Sequence, residues 1–173
     1  MKKKKTARQP RAFSPAIRLL LHSLDEAYAQ QAWHGTNLRG ALRGVDFRQA
    51  RWRPGAGRHN IWEIVVHAAY WKYAVRQRLT GGKRGSFSLS GSNWIRRTDT
   101  LTPADWRADI RLLESEHAQL RSVVEGLQPS RVFRTVPKTR YTAAKMVFGI
   151  AAHDLYHAGQ IQLLKRLSGV SRR

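Results

Sequence analysis

The sequence predicts an all-α protein built as a four-helix bundle. Four segments long enough to form a bundle place apolar residues at the three- and four-residue steps of an amphipathic helix. Capping residues, prolines and glycines mark where these segments begin or end. No segment alternates polar and apolar residues as a half-buried strand would, and no internal repeat is evident. At 173 residues, the chain has the length of one domain.

The first predicted helix begins at Ser14 and Pro15 and continues to about Trp33. Serine can cap a helix, and proline suits the first helical turn, so this pair marks a helix start. We expect a short helix over 36–42. A connector over 44–57 follows, because its proline and glycines interrupt helical periodicity.

The second long helix is predicted over 61–79, with Asn60 as its N-cap and Gly81 at its end. Its inward face is a broad apolar stripe made of Ile61, Ile64, Val65, Ala68, Val75 and Leu79. From Gly82 to Leu101 the chain is rich in glycine and serine. We expect this segment to connect two helices and to act as a partial lid.

The third and fourth helices are predicted over 102–127 and 142–167. Thr102 can cap the third helix, a proline follows in its first turn, and Asp105 lies where free backbone donors need an acceptor. Gly169 ends the fourth helix. These four helices complete the predicted bundle.

The charge balance is strongly basic. The chain has 32 Lys and Arg against 11 Asp and Glu, which gives a net charge of +21. Such a surface attracts phosphates and nucleic acid without reading bases, and here the cations are scattered rather than gathered on one recognition helix. Nucleic acid, bound without sequence specificity, is therefore a candidate partner. We expect a flexible basic tail over 1–12, one domain over 13–168 and a second basic tail over 169–173.

The absence of cysteine excludes disulfides, thiolate zinc sites and cysteine nucleophiles. Any strong metal site must therefore use His, Asp or Glu. The basic N-terminus is followed only by a short apolar run over 17–21, too short for a secretory signal, and no run approaches the length of a membrane span. We expect a cytoplasmic protein with no membrane partner.

Two histidines lie on the core stripe of the fourth helix. The stripe consists of Met146, Ile150, His153, His157, Ile161 and Leu164. Side chains four residues apart are neighbours on a helix, so His153 and His157 can hold one ion at about 2.0–2.1 Å each. A single buried histidine is more often a satisfied core residue than a ligand, but two on one stripe favour a metal site.

His67 is the best candidate for a third ligand, because it lies in an otherwise apolar segment of the second helix. Helix bundles build metal sites from inward side chains on facing helices. Three protein nitrogens also leave a coordination position open for water or substrate, which favours a reactive centre over a structural one.

Three motifs resemble the DinB-like family: Trp33-His34-Gly35, the segment 59–71 around Trp62-Glu63 and His67, and the segment 153–161, His153-Asp154-Leu155-Tyr156-His157-Ala158-Gly159-Gln160-Ile161. The resemblance covers most of 14–168. It implies a four-helix bundle with up-down-down-up connectivity and a long crossover connection. It also implies His67, His153 and His157 as ligands of a divalent transition metal such as zinc or nickel, and often a homodimer.

Such a centre suggests a metal-dependent hydrolase or a thiol-dependent S-transferase that acts on a small molecule, because a bound ion can activate water or a thiol at neutral pH. With no cysteine in the chain, the thiol would be an external low-molecular-weight one. The alternative is a non-enzymatic protein, either nucleic-acid-associated or stress-responsive, with a structural metal or none.

Glu63 is the candidate catalytic residue. Four residues before His67, it could orient the second ring nitrogen of that histidine, act as a base, or pair with an arginine. Asp154 follows His153, as an acid follows the first histidine of the H-E-x-x-H metalloprotease helix. Aspartate is shorter than glutamate, however, and no further ligand motif is present, so we do not expect a protease.

Three residues are candidates for the lining of a pocket: His34, Tyr156 and Asp154. His59 could also lie at its mouth, although His34 and His59 both lie near helix ends, where histidine often faces water. Aromatic residues at helical spacing are usually core or interface residues. We therefore expect Trp62, Tyr70, Trp71 and Tyr156 to pack between helices.

Overall fold

The computed structural model describes residues 13–83, 85–98 and 100–169. These residues form six α-helices and one 3₁₀ turn at Pro129–Arg131: α1 (Pro15–Tyr28), α2 (Leu38–Ala41), α3 (Phe47–Arg51), α4 (Ile61–Thr80), α5 (Pro103–Glu125) and α6 (Ala143–Leu167). The described ranges contain two isolated bridges and no strand. The all-helical fold is therefore confirmed. The tail predicted over 1–12, and all but the first residue of the tail predicted over 169–173, lie outside these ranges.

Local capping sets the start of each long helix. The three predicted caps, Ser14, Asn60 and Thr102, each accept a backbone N–H from three residues ahead, and Thr142, predicted only as the start of a helix, does the same. Asp105 completes a capping box with Thr102, which satisfies two backbone donors at once. Gly81 ends α4 with a φ of +70°, a conformation that glycine adopts without strain. The predicted helix starts and the predicted end at Gly81 are confirmed.

The first helix is shorter than predicted, because α1 ends at Tyr28 rather than near Trp33. The side-chain amide of Asn37 donates to the carbonyl of Gln30 at 2.6 Å, and Gly35 turns the chain with a φ of +110°. This hydrogen bond satisfies a carbonyl that a longer helix would have used. The prediction extended the helix too far because the helical spacing of apolar residues continues beyond Tyr28, whereas the hydrogen bond from Asn37 favours a turn there.

The connector predicted over 44–57 contains a helix that the periodicity did not reveal. The α3 helix has five residues, and its cap Asp46 accepts the backbone N–H of Gln49 at 2.8 Å. Five residues are too few to show a 3.6-residue repeat. The aspartate cap was the only local signal of this helix.

The long helices pack together around two apolar clusters. Between the clusters, each long helix contributes buried polar residues at one level: Asp25 on α1, Lys72 on α4, Glu116 and His117 on α5, and Asp154 on α6. Polar contacts join neighbouring helices: Trp62–Asp109, Arg76–Glu116, Lys72–Asp154 and Arg121–Asp25. We call Asp25, Lys72, Glu116, His117 and Asp154 the buried polar layer. Within the described ranges, no helix combines the length and apolarity needed to cross a membrane.

Candidate metal centre

Three imidazoles meet between α4 and α6. The Nε2 atom of His153 lies 3.1 Å from Nε2 of His67 and 3.0 Å from Nε2 of His157. Two nitrogens bound tetrahedrally at 2.0–2.1 Å to one ion would be about 3.3–3.4 Å apart. One ring nitrogen from each residue lies within 4.8 Å of the others, so the three could hold one ion. We call this group the histidine cluster.

The outer nitrogens of two imidazoles are held by oxygen acceptors. Nδ1 of His67 lies 3.0 Å from the carbonyl oxygen of Asn93, and Nδ1 of His157 lies 2.7 Å from Oε1 of Gln160. Because a carbonyl oxygen only accepts, each Nδ1 carries the proton and each Nε2 keeps its lone pair. Gln160 also donates to the hydroxyl of Tyr156, which holds its amide in this orientation. Both lone pairs therefore point towards His153.

His153 cannot donate a hydrogen bond to both His67 and His157. A single N–H at its Nε2 donates to one of the two lone pairs and leaves the other without a donor. Its Nδ1 is buried and has no hydrogen-bond partner among the described residues. A divalent cation would accept all three Nε2 lone pairs at once, and nitrogen ligands suit zinc, nickel, copper and iron. The cluster therefore fits a transition metal.

Burial keeps the three imidazoles neutral. Desolvation, together with a smaller contribution from neighbouring imidazoles, lowers the pKa of His67 to about 4 and that of His153 to about 3. The pKa of His157 is also lowered, chiefly by burial. Metal ligation requires the neutral form of histidine. At neutral pH the cluster is thus already in the form that binds a cation.

A family model described as the DinB superfamily matches residues 28–161. This span is well over half of the chain and contains His67, His153 and His157. The chain belongs to the DinB superfamily. No curated protein and no solved structure matches it.

The connection between α4 and α5 contacts the cluster of this DinB-superfamily chain. The Trp94 ring stacks between the rings of His59 and His67, with both centroid distances at 3.7 Å. Asn93 has a φ of +56°, and its side-chain oxygen accepts the indole N–H of Trp71 at 2.9 Å. The segment predicted as a connection and partial lid therefore packs directly on His67.

Three residues that support the cluster were not predicted: Asn93, Trp94 and Gln160. Gln160 lies three residues after His157 on one helix face, so its position was readable from the sequence. Asn93 and Trp94 lie 26 and 27 residues after His67 in a segment with no periodicity. Only asparagine's tolerance of positive φ hinted at a special role for Asn93.

Glu63 does not contact the cluster. Its carboxylate accepts hydrogen bonds from Arg53 at 2.6 and 2.9 Å, from Nδ1 of His59 at 3.0 Å and from the backbone N–H of Arg97 at 3.2 Å. Burial raises the pKa of Glu63, but these hydrogen bonds outweigh it and lower the pKa to about 2. The arginine pairing is the alternative that the geometry matches, and Asn93 rather than Glu63 meets Nδ1 of His67. A carboxylate this acidic is a weak base at neutral pH.

The three pocket candidates, Asp154, Tyr156 and His34, differ in their position relative to the cluster. Asp154 is fully buried and forms an ion pair with Lys72, which is also fully buried, so it lines no pocket. Tyr156 is 65% exposed, and its ring contacts His157 at a centroid distance of 5.2 Å. His34 is exposed in the turn after α1, and among the described residues no contact joins it to the cluster.

The prediction that four aromatic residues pack between helices holds only in part. Trp62 is buried, and Tyr70 and Trp71 are half-buried on the same helix. For Tyr156 the prediction was wrong, because its ring faces solvent on α6. The α6 helix presents its opposite side to the core, so a residue one position before His157 points outward.

A cavity of about 260 Å³ opens beside the cluster of this DinB-superfamily protein. His153 and Trp71 line it, together with the apolar side chains of Val75, Met146 and Ile150. We call it the α4–α6 cavity. Of the three imidazoles, that of His153 lines this cavity.

Proposed function

We propose that this DinB-superfamily protein is a metal-dependent enzyme that acts on a small molecule, as a hydrolase or as an S-transferase using an external low-molecular-weight thiol. In this proposal His67, His153 and His157 hold the ion, zinc or nickel, and the protein acts in the cytoplasm. The observation that carries the proposal is the convergence of three Nε2 atoms whose partners direct lone pairs inward.

The chain's own residues would bind and orient the reactants. A divalent ion on three imidazoles supplies a Lewis acid that makes water or a thiol nucleophilic at neutral pH. Asn93 and Gln160 hold the rings of His67 and His157 in place, and the Trp94 ring covers His67 from water. The α4–α6 cavity beside His153 admits the small molecule.

Elemental analysis of the purified, untagged protein tests the metal site. We expect close to one equivalent of metal in the wild type and a loss of it in a His153→Ala, His157→Ala double variant that remains helical by circular dichroism. The matched control is a His22→Ala, His34→Ala double variant, because both of these histidines are exposed. A wild type that takes up neither zinc nor nickel after incubation would overturn the proposal.

Cobalt substitution separates a reactive centre from a structural one. If a position is open, adding cysteine or 2-mercaptoethanol to the cobalt-loaded protein gives a thiolate charge-transfer band. An unchanged spectrum with every thiol would eliminate the S-transferase. Hydrolysis would then be the activity left to screen with ester and amide substrates.

We also propose the up-down-down-up connectivity that the resemblance implies. It requires α4 and α5 to run parallel, joined by a long crossover over 81–102. The contacts support this, because Trp62 pairs with Asp109 and Arg76 with Glu116, so positions advance together along both helices.

Spin labels can test this connectivity, since a chain without cysteine is labelled only at introduced ones. For parallel helices, labels at Thr80→Cys and Gln119→Cys lie close together. Labels at Thr80→Cys and Arg107→Cys should be much further apart, because Arg107 lies about 18 Å before Gln119 along the helix axis at a rise of 1.5 Å per residue. The reverse order of distances would contradict the parallel arrangement.

A homodimer is a further part of the proposal. The solvent-facing side of α6 carries apolar side chains along its length: Phe148, Tyr156, Leu163 and Leu167, which are 41–65% exposed. An apolar stripe facing water favours burial against another helix. Sedimentation should give a dimer mass for the wild type and a monomer for Leu163→Glu, while a monomeric wild type would contradict the dimer.

The competing function is non-specific nucleic-acid binding, which the net charge of +21 favours. Phosphate contacts make such binding fall steeply with salt. Measured in physiological salt, tight binding of random duplex DNA by both the wild type and the double histidine variant would support this alternative. Binding that disappears in this salt would leave the metal-dependent function as the better proposal.

A further inference from the structure

The α4–α6 cavity extends along its two helices from the histidine cluster. His153 and Trp71 lie towards the cluster, and Lys145 and Arg78 also line the cavity. Lys145 precedes His153 by eight residues of helix, which corresponds to about 12 Å along the axis. The cavity therefore joins the cluster to the cationic side chain of Lys145, roughly two helical turns away along α6, and to that of Arg78, whose guanidinium lies over the Trp71 ring.

The walls between these ends are apolar. Val75 lies on α4, and Met146 and Ile150 lie on α6, all with 7% or less of their surface exposed. Contact between these side chains and an aliphatic or aromatic group is favourable, because it removes apolar surface from water. A ligand that fits between them must have an apolar body.

The charged side chains that line this cavity are both cations. Neither Arg78 nor Lys145 forms an ion pair within the described ranges, and the guanidinium of Arg78 lies over the Trp71 ring at 5.6 Å. Among the residues that the structure describes, no aspartate or glutamate lines the cavity. A carboxylate or phosphate entering it would meet two charge-assisted donors and no repulsion.

We propose that the α4–α6 cavity selects small amphipathic anions: the apolar body of the ligand packs against Val75, Met146 and Ile150, and its anionic group binds Arg78 and Lys145. The proposal rests on the proposed function, because it takes the histidine cluster as the reactive centre. At about 260 Å³ the cavity is smaller than the roughly 300–1,000 Å³ of pockets for drug-sized ligands. The substrate is therefore a small organic acid or phosphate that reacts at the end remote from its anionic group.

Calorimetric titration with hexanoate and with neutral 1-hexanol tests the recognition of charge. We expect the zinc-incubated wild type to bind hexanoate and to bind 1-hexanol at least about tenfold more weakly, because the alcohol lacks the ionic partner of the two cations. Equal binding of both ligands would show that the cavity recognises only apolar surface and would overturn the proposal.

Two variants and a matched control assign the anion to its partners. Arg78→Gln and Lys145→Gln should each weaken hexanoate binding by about fivefold or more, as expected when one charge-assisted hydrogen bond is lost. Arg111→Gln removes an exposed arginine on α5 outside the cavity and should change binding less than twofold. Equal effects of all three variants would indicate only a general response to net charge, and the proposal would be wrong.

The same titration on metal-free protein separates this inference from the proposed function. Hexanoate binding that survives chelation and is lost in the Arg78 and Lys145 variants supports the cavity, even if elemental analysis finds no metal. If hexanoate binding is lost on chelation but unchanged in Arg78→Gln and Lys145→Gln, the carboxylate binds the ion and the inference is overturned. Ile150→Phe should fill the cavity and abolish hexanoate binding without changing the metal content.

Discussion

At the scale of single residues, the histidine cluster depends on what holds its outer nitrogens. Asn93 and Gln160 each accept a hydrogen bond from Nδ1 of one imidazole, and this selects the tautomer whose Nε2 faces inward with its lone pair. Asn93 acts through its backbone, so side-chain substitution leaves its carbonyl in place. Gln160 acts through its side chain and is the more informative position to vary.

We expect Gln160→Ala to lower zinc affinity by about 10–100-fold, the usual effect of removing a hydrogen-bond partner of a ligating histidine. Competition with a chromophoric chelator measures the affinity. Gln160→Glu keeps an acceptor at the same place and should retain tight binding. The control is Gln119→Ala, which alters an exposed glutamine on α5. An affinity unchanged in Gln160→Ala would show that Gln160 does not position His157.

His117 is a second buried histidine, outside the cluster, and should make the fold acid-sensitive. It stacks on Tyr28 with a centroid distance of 3.7 Å, and within the described part of the chain its Nδ1 has no hydrogen-bond partner. Burial, with Lys72 and Arg121 nearby, lowers its pKa from 6.5 to about 3. Below pH 6.5 the His117 imidazole is therefore protonated in the unfolded chain but stays neutral in the folded chain. The free energy of unfolding falls as the pH drops towards 3.

When the pH is lowered from 7 to 5, the free energy of unfolding should fall by about 1–2 kcal/mol more in the wild type than in His117→Phe. Phenylalanine keeps a ring against Tyr28 and removes the buried nitrogen. Urea unfolding at the two pH values measures the difference, with the exposed His22→Gln as control. If the variant loses as much stability as the wild type on acidification, His117 does not carry the effect.

At the scale of elements, the connection between α4 and α5 is part of the site although it has no regular structure. Trp94 is held between His59 and His67, and Arg97 pairs with Asp109 on α5. These contacts fix the segment at both helices. The connection is thus a structural support of His67 as well as a link between helices.

Trp94→Ala should lower stability by about 2 kcal/mol, because a half-buried ring is removed from between two imidazoles. It should also weaken zinc binding, since His67 loses the ring that limits its rotation. Thermal unfolding and chelator competition measure the two effects. Trp33→Ala is the matched control, because Trp33 is 99% exposed. Identical behaviour of the two variants would contradict a supporting role for Trp94.

At the scale of the whole molecule, the buried polar layer lies between the two apolar clusters of the core. Lys72 and Asp154 are its most enclosed members, and both are fully buried. Burial lowers the pKa of the lysine and raises that of the aspartate, while each partner's charge opposes the shift. Oδ1 of Asp154 has no hydrogen-bond partner in the described ranges, so this ion pair costs free energy to form, and removing one member costs more.

Lys72→Met should destabilise the protein by about 3–5 kcal/mol, because it leaves Asp154 charged and unpaired in the core. The double variant Lys72→Met, Asp154→Leu should recover most of that loss, since two apolar residues replace both charges. Chemical unfolding gives the energies, and a double-mutant cycle gives the coupling. A double variant less stable than Lys72→Met would contradict this account.

Metal binding should stabilise the whole fold, because the three ligands come from helices that separate on unfolding. At free zinc 100 times the Kd, the gain is about 2.7 kcal/mol and the Tm rises. A chelator should reverse the shift, and the His153→Ala, His157→Ala variant should show none. An equal rise of Tm in that variant would place the zinc elsewhere.

The sequence by itself determined the features that depend on neighbours three or four residues apart. Ser14, Asn60, Thr102 and Thr142 mark helix starts because a cap bonds to a donor within its own first turn. The pairing of His153 with His157 follows from the helical repeat alone. His67 could be proposed as a third ligand because it interrupts an apolar segment, and the structure places it beside the other two.

Only the tertiary structure decided which distant groups meet. The Asn93 carbonyl on His67, the Trp94 ring between two imidazoles and the pairing of Lys72 with Asp154 join positions 26 to 82 residues apart. The side chain of Glu63 could have met either His67 or Arg53, and the packing of the connection before α4 selected the arginine. Local spacing sets which face of a helix a side chain occupies, but its partner is set by the packing of whole helices.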